Sequence, residues 1–246
     1  MKFSMLTRFA VCGAILFMGS LAEAALSIVP VVGGGPVGGV NYVTFDTLPL
    51  GTAGGFTPNT AASANPGPGS GITVNIVTSG QAVQGSSSGV YAAPFLSGAN
   101  GANFDAQPNG ADATTYLTAG STGPTPLAQV ELVFSGLQQY LGVLWGSVDD
   151  FNKLEFFNGA VSVGTITGLQ VDANATGNQG VNGTFYVNID STLGFDRVVA
   201  TSTNNFAFEF DNVAYDANRI VPEATTIAIW SGLSLLGYVA YRRNAK

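Results

Sequence analysis

Leu154-Glu155-Phe156-Phe157-Asn158-Gly159-Ala160-Val161-Ser162-Val163 is the stretch that decides the fold. Apolar residues recur at strand spacing on both sides of Asn158-Gly159, and that dipeptide accepts the positive φ values of a two-residue turn. The segment predicts a β-hairpin whose arms pair face to face. Outward from it, similar apolar runs bounded by Gly, Asn, Asp or Pro recur at 40–45, 71–76, 90–95, 128–134, 140–145, 153–157, 161–166, 184–189, 197–201 and 206–215. No long amphipathic helical pattern accompanies them. The reading is a mainly β protein, a single antiparallel β-sandwich of jelly-roll-like type over residues 25–219. Residues 51–70 and 97–125, rich in Gly, Ala, Asn, Pro and Thr, are expected to be long surface loops of that one domain.

Composition agrees with this. Only 9% of the residues are charged and 33 are glycine, which suits short strands and tight turns better than helices. Between Ala25 and Val221 only Lys153, Arg197 and Arg219 oppose thirteen carboxylates, a net charge of −10. Such a surface repels phosphate backbones, so nucleic acid is not an expected partner. The chain has no histidine, and its one cysteine, Cys12, lies in the first apolar stretch. A domain starting at Ala25 therefore has no disulfide, thiolate metal site or cysteine nucleophile.

The two ends read as addresses. Lys2 and Arg8 precede an apolar run, and Ala22-Glu23-Ala24 places small residues where a signal peptidase reads them. Residues 1–24 are thus expected to be a secretory signal, cut after Ala24. At the other end, residues 220–246 combine Val221-Pro222-Glu223, an apolar span over 225–241 and the basic pair Arg242-Arg243. The span has about the minimum length for a transmembrane helix, and the basic end is expected to stay cytoplasmic.

In that order, Val221-Pro222-Glu223, the apolar span with Ile229-Trp230-Ser231-Gly232-Leu233, and Arg242-Arg243 resemble the PEP-CTERM sorting tail recognised by exosortases. The tail differs from the name-giving motif at Ala224, where that motif has a second proline. The middle of the chain is similar to exosortase-dependent surface proteins through Leu144-Trp145-Gly146-Ser147-Val148-Asp149, Phe156-Phe157-Asn158-Gly159, Gly180-Val181-Asn182-Gly183-Thr184, Phe195-Asp196-Arg197-Val198 and Phe208-Glu209-Phe210-Asp211-Asn212. The resemblance implies passage through the secretion machinery, signal peptidase and the inner membrane, cleavage by exosortase, and delivery to the cell surface or extracellular space. It supplies a placement and carries over no activity or mechanism.

Two motif matches lead nowhere. Gly33-Gly34-Gly35-Pro36-Val37-Gly38 fits a dinucleotide-binding pattern, but Pro36 and the glycines after it open no helix, so a flexible segment is expected. Gly85-Ser86-Ser87-Ser88-Gly89 fits a nucleophile elbow, yet the chain has no imidazole to take the serine proton. Three further constellations stay open. Glu131 with Glu155 or Asp149 is a candidate carboxylate pair for glycan hydrolysis. Asp149, Asp150 and Asn152, with Asp211 and Asn212, offer the hard oxygen ligands that calcium takes, or are simply turn formers. Calcium is the one cofactor these residues suggest. Among the aromatic residues Tyr91, Phe95, Tyr116, Tyr140, Trp145, Phe157 and Tyr186, Trp145 is the candidate for stacking on a sugar, unless the rings fill the core.

The expected function is that of an exported surface or matrix protein of structural or adhesive type, without catalysis. A carbohydrate-binding module of the cell envelope, holding extracellular polysaccharide, and a carboxylate-dependent glycan hydrolase are the rivals.

Overall fold

The computed structural model describes residues 25–51, 54–56, 71–77, 79–102, 104, 106–120, 128–203 and 206–219. The signal residues Ala22 and Ala24 and the sorting residues Val221, Pro222, Glu223, Arg242 and Arg243 lie outside them. Among the described residues no helix is long and apolar enough to cross a membrane.

The architecture is mainly β and antiparallel. The strands are β1 (Leu26–Val32), β2 (Asn41–Val43), β3 (Gly54–Phe56), β4 (Ile72–Val77), β5 (Gly80–Val83), β6 (Phe95–Leu96), β7 (Gly110–Ala111), β8 (Tyr116–Ala119), β9 (Ala128–Gly146), β10 (Asn152–Asn158), β11 (Val161–Thr167), β12 (Phe185–Ser202) and β13 (Phe208–Asp216). Two one-turn helices, α1 (Ala99–Ala102) and α2 (Gly168–Val171), interrupt them.

β9 and β12 organise the molecule. The first part of β9 pairs with β4 and with the end of β12, which continues into β10 and β11. Its last part pairs with the start of β12 and with β13, next to β1, β2, β8 and β5. Register shifts near Phe195 divide the long β9–β12 ladder into two parts of one sheet, called here the first and second layer. Both layers face one core. Alternate residues Ile72, Val74 and Ile76, Val130, Leu132 and Phe134, and Leu154 and Phe156 point into it from the first layer. Leu141, Val143, Trp145, Phe208 and Phe210 meet them from the second. The Phe134 ring bridges the layers, with its centroid 5.5 Å from that of Tyr215.

The hairpin of residues 152–167 forms where expected, but its turn is displaced by one residue. Asn158 pairs with Val161, so Gly159-Ala160 is the loop, and Gly159 supplies the positive φ of +56°. A II′-type turn needs that value at its first central residue only. Asn158 instead directs its side-chain amide to the Gly194 carbonyl at 3.1 Å.

Other expectations need correction. The runs at 128–134 and 140–145 are one strand, as are those at 184–189 and 197–201. Segment 90–95 is mostly irregular, with an isolated bridge from Tyr91 to Ser87 and strand pairing at β6. The described part of 97–125 is not simply surface loop: it contains β8 and buries Phe104 and Tyr116 completely. With Leu96, Phe104 packs on Leu144 and Tyr186, covering the outer face of the second layer. That cover explains why every residue from Tyr140 to Val148 is buried. Segment 33–38, expected to be flexible, is anchored at its start, where the Gly33 carbonyl accepts the Ala99 N–H at 2.8 Å.

Candidate functional site: an acidic cleft

A cleft of about 640 Å³ opens where loop 86–92 meets the turn after β9 and the segments at 176–179 and 206–209. Ser147 and Asp149 come from the turn and Glu209 from β13. Phe208 and Phe210 point into the core, so the strand alternation turns Glu209 to the outer face of its layer. There it is 2% exposed.

Both oxygens of Glu209 are engaged. Oε1 accepts the Ala92 backbone N–H at 2.9 Å, and Oε2 accepts the hydroxyl of Ser147. These donors favour the ionised carboxylate, but burial opposes it more strongly and Asp149 adds repulsion, raising the pKa to about 8. Asp149 is pushed up to about 6, first by burial and then by Asp150. The two carboxyl groups therefore differ in protonation near neutrality.

The turn that carries Ser147 is held tightly. Ser147 has a φ of +32°, a strained value for a residue with a side chain. On either side of the next residue, the Val148 N–H donates to Gly183 and its carbonyl accepts from Gly177, both at 3.0 Å. Gly177 has a φ of +69°, and a Cβ there would lie 2.7 Å from Asp149 Oδ1. The cleft wall needs that glycine. Phe151 and Tyr91 are half-buried in the lining, while Phe206 is 51% exposed. Among the described residues no Lys or Arg lines it.

The candidate residues are distributed differently from the expectation. Trp145 is fully buried and stacks on Phe208, with ring centroids 4.3 Å apart. Its place on the core face of β9 leaves no ring face for a sugar, which corrects the proposed stacking role. Glu131 is bound by Arg197 at 3.1 Å and Glu155 by Lys153 at 3.5 Å. Both flank Val199 across β12, away from the lining of the cleft, and Asp149 does not join them. The expected carboxylate pair is not assembled at the cleft.

Nor do the calcium candidates converge. Asp149 lines the cleft, Asp150 is exposed and Asn152 is buried at the start of β10. The Asn152 N–H donates to the Asp149 carbonyl at 3.3 Å, as in a turn. Asp211 and Asn212 lie buried in the middle of β13. At a bulge with φ +50°, Asn212 donates its amide to the Asn100 carbonyl at 3.1 Å. That bond ties α1 to the sheet. Among the described residues no three Asp, Glu, His or Cys side chains form a group able to hold a metal ion.

Glu209 is absent from the candidate site residues of the sequence, where it stands only within the Phe208-Glu209-Phe210-Asp211-Asn212 motif. The available signal was a carboxylate inside an apolar run, Phe208-Glu209-Phe210, which strand alternation places opposite the core. The serine loop, set aside for want of an imidazole, forms one lip of the cleft. No protein-family model matches the chain, and no curated protein matches it.

Proposed function

We propose that the chain is an exported protein of the cell surface or extracellular matrix, structural or adhesive in type and not an enzyme. Its domain is then a jelly-roll-like β-sandwich. The observation that carries this reading is the order of two labels around an acidic β domain. The first is an apolar run after Lys2 and Arg8, ending in Ala22-Glu23-Ala24. The second is Val221-Pro222-Glu223, an apolar span and Arg242-Arg243. In this reading the secretion machinery and signal peptidase release the domain outward, the inner membrane holds it briefly, and exosortase cuts the tail near Pro222-Glu223.

Mass spectrometry of the mature protein tests the proposal. Surface fractions should yield an N-terminus at Ala25 and a C-terminus near Glu223. An intact tail on surface-located protein overturns exosortase processing, and an uncut chain in the cytosol overturns export. The cleft favours a second element, a binding rather than purely structural role, because it gathers hydroxyl, amide, carboxyl and aromatic groups in one concavity.

A further inference from the structure

We propose that the cleft between loop 86–92 and the turn at 147–151 binds a neutral, hydroxyl-rich ligand of the sugar class, with Ser147 as a hydrogen-bond donor and Phe206 as a stacking surface. The proposal deepens the adhesive reading above and rests on it for its biological setting.

The chemistry of the lining narrows the ligand. A cavity of about 640 Å³ has room for a small molecule or a short oligomer. With Asp149 and Glu209 in the lining and no Lys or Arg among the described residues there, an anionic ligand meets repulsion and no counter-charge from them. Ser86, Ser88, Thr176 and Gln179 are exposed around the rim and can exchange hydrogen bonds with hydroxyl groups. Phe206, half exposed, offers a ring face to the C–H side of a sugar, the amphipathic use to which aromatic side chains are suited.

Glu209 sets the polarity of Ser147. When it is ionised, the serine hydroxyl donates to Oε2. When it is protonated, with Oε1 occupied by the Ala92 N–H, its proton lies on Oε2 and is donated to Ser147 Oγ. The serine hydrogen is then free to turn into the cleft. The titratable groups around Glu209 are Asp149 from the turn, which repels its charge, and Tyr116 from β8, whose own ionisation Glu209 opposes; neither is a cation. Burial keeps Glu209 protonated until about pH 8. Binding should therefore hold near neutrality and weaken above that pH.

The test is isothermal titration of the full chain in detergent with maltohexaose, cellohexaose, mannohexaose and xylohexaose, with chitosan hexamer and an alginate hexamer as charged comparisons. At least one neutral hexaose should bind at pH 7, and its affinity should fall at least tenfold in Phe206→Ala and in Gln179→Ala, both of which change exposed side chains. Val161→Ser, outside the cleft, should change nothing. Failure of the folded protein to bind any neutral hexaose overturns the proposal, as does tighter binding of chitosan or alginate. Binding that survives both cleft substitutions also overturns it. Surface placement is read separately from the processed termini: a processed surface protein that ignores these sugars sinks the ligand assignment alone, and an uncut cytosolic chain that binds them sinks the placement alone.

Discussion

The indole of Trp145 lies against the ring of Phe208, with the two planes 27° apart and the centroids separated by 4.3 Å. Both rings are fully buried in the core between the layers. Replacing Trp145 by Ala removes the largest side chain of that core and should cost about 3–5 kcal/mol, read as a lower denaturation midpoint. Trp145→Phe keeps an aromatic partner for Phe208 and removes an indole N–H that has no hydrogen-bond acceptor among the described residues. It should cost clearly less than Ala.

Glu209 makes stability depend on pH with a definite sign. Its pKa rises from an ordinary 4.5 to about 8 on folding, so between those values the folded chain binds the extra proton. Stability is greatest below this window, falls as pH rises through it, and levels off above about pH 8. The local slope reaches at most about 1.4 kcal/mol per pH unit from this group. Denaturant titrations between pH 5 and 9 should show the fall, and Glu209→Gln, similar in shape and never charged, should flatten it above about pH 6, below which the raised Asp149 contributes in the same sense. An unchanged slope in that variant would assign the effect elsewhere.

Gly177→Ala combines two costs. The residue has a φ of +69°, and its new methyl group would press on the Asp149 carboxylate from 2.7 Å. A loss of about 1–3 kcal/mol is expected, seen in thermal unfolding. Gly159→Ala, also left-handed at +56° but with open space around it, suffers only the backbone cost and should lose less.

Arg197 joins two partners on the outer face of the first layer. Its guanidinium bonds Glu131 at 3.1 Å and lies 4.1 Å from the centroid of the Phe157 ring. Arg197→Lys preserves charge but loses the flat group that stacks. Because the site is partly exposed, the expected loss is only about 0.5–1 kcal/mol, and since both residues carry the screened charge the difference between the two proteins should persist at high salt.

The parts that could be read from the sequence are those governed by local pattern. The hairpin at 152–167 has strand periodicity and a turn glycine, so its position follows from the residues themselves. The continuity of β9 does not. Ser135-Gly136 separates the two apolar runs, whereas the chain remains one strand through it. Segment 97–125 has the composition of a loop, but covering the second layer is a tertiary demand that draws Phe104 and Tyr116 inward. The candidate site was only half legible for the same reason. Asp149 and the serine loop could be noticed, but what raises the pKa of Glu209 is burial, and burial depends on loop 86–92 closing over β13 from more than a hundred residues away.

β13 is held on both flanks, by β9 along one side and by β8 and β2 along the other. It is also the last strand before residue 219. Tension applied to the chain from that end therefore enters the middle of a sheet rather than its rim. To extract the strand, rungs on both sides must slide together in shear, a harder failure than unzipping an edge one bond at a time. A load carried by that end would meet more resistance than one borne by a rim strand.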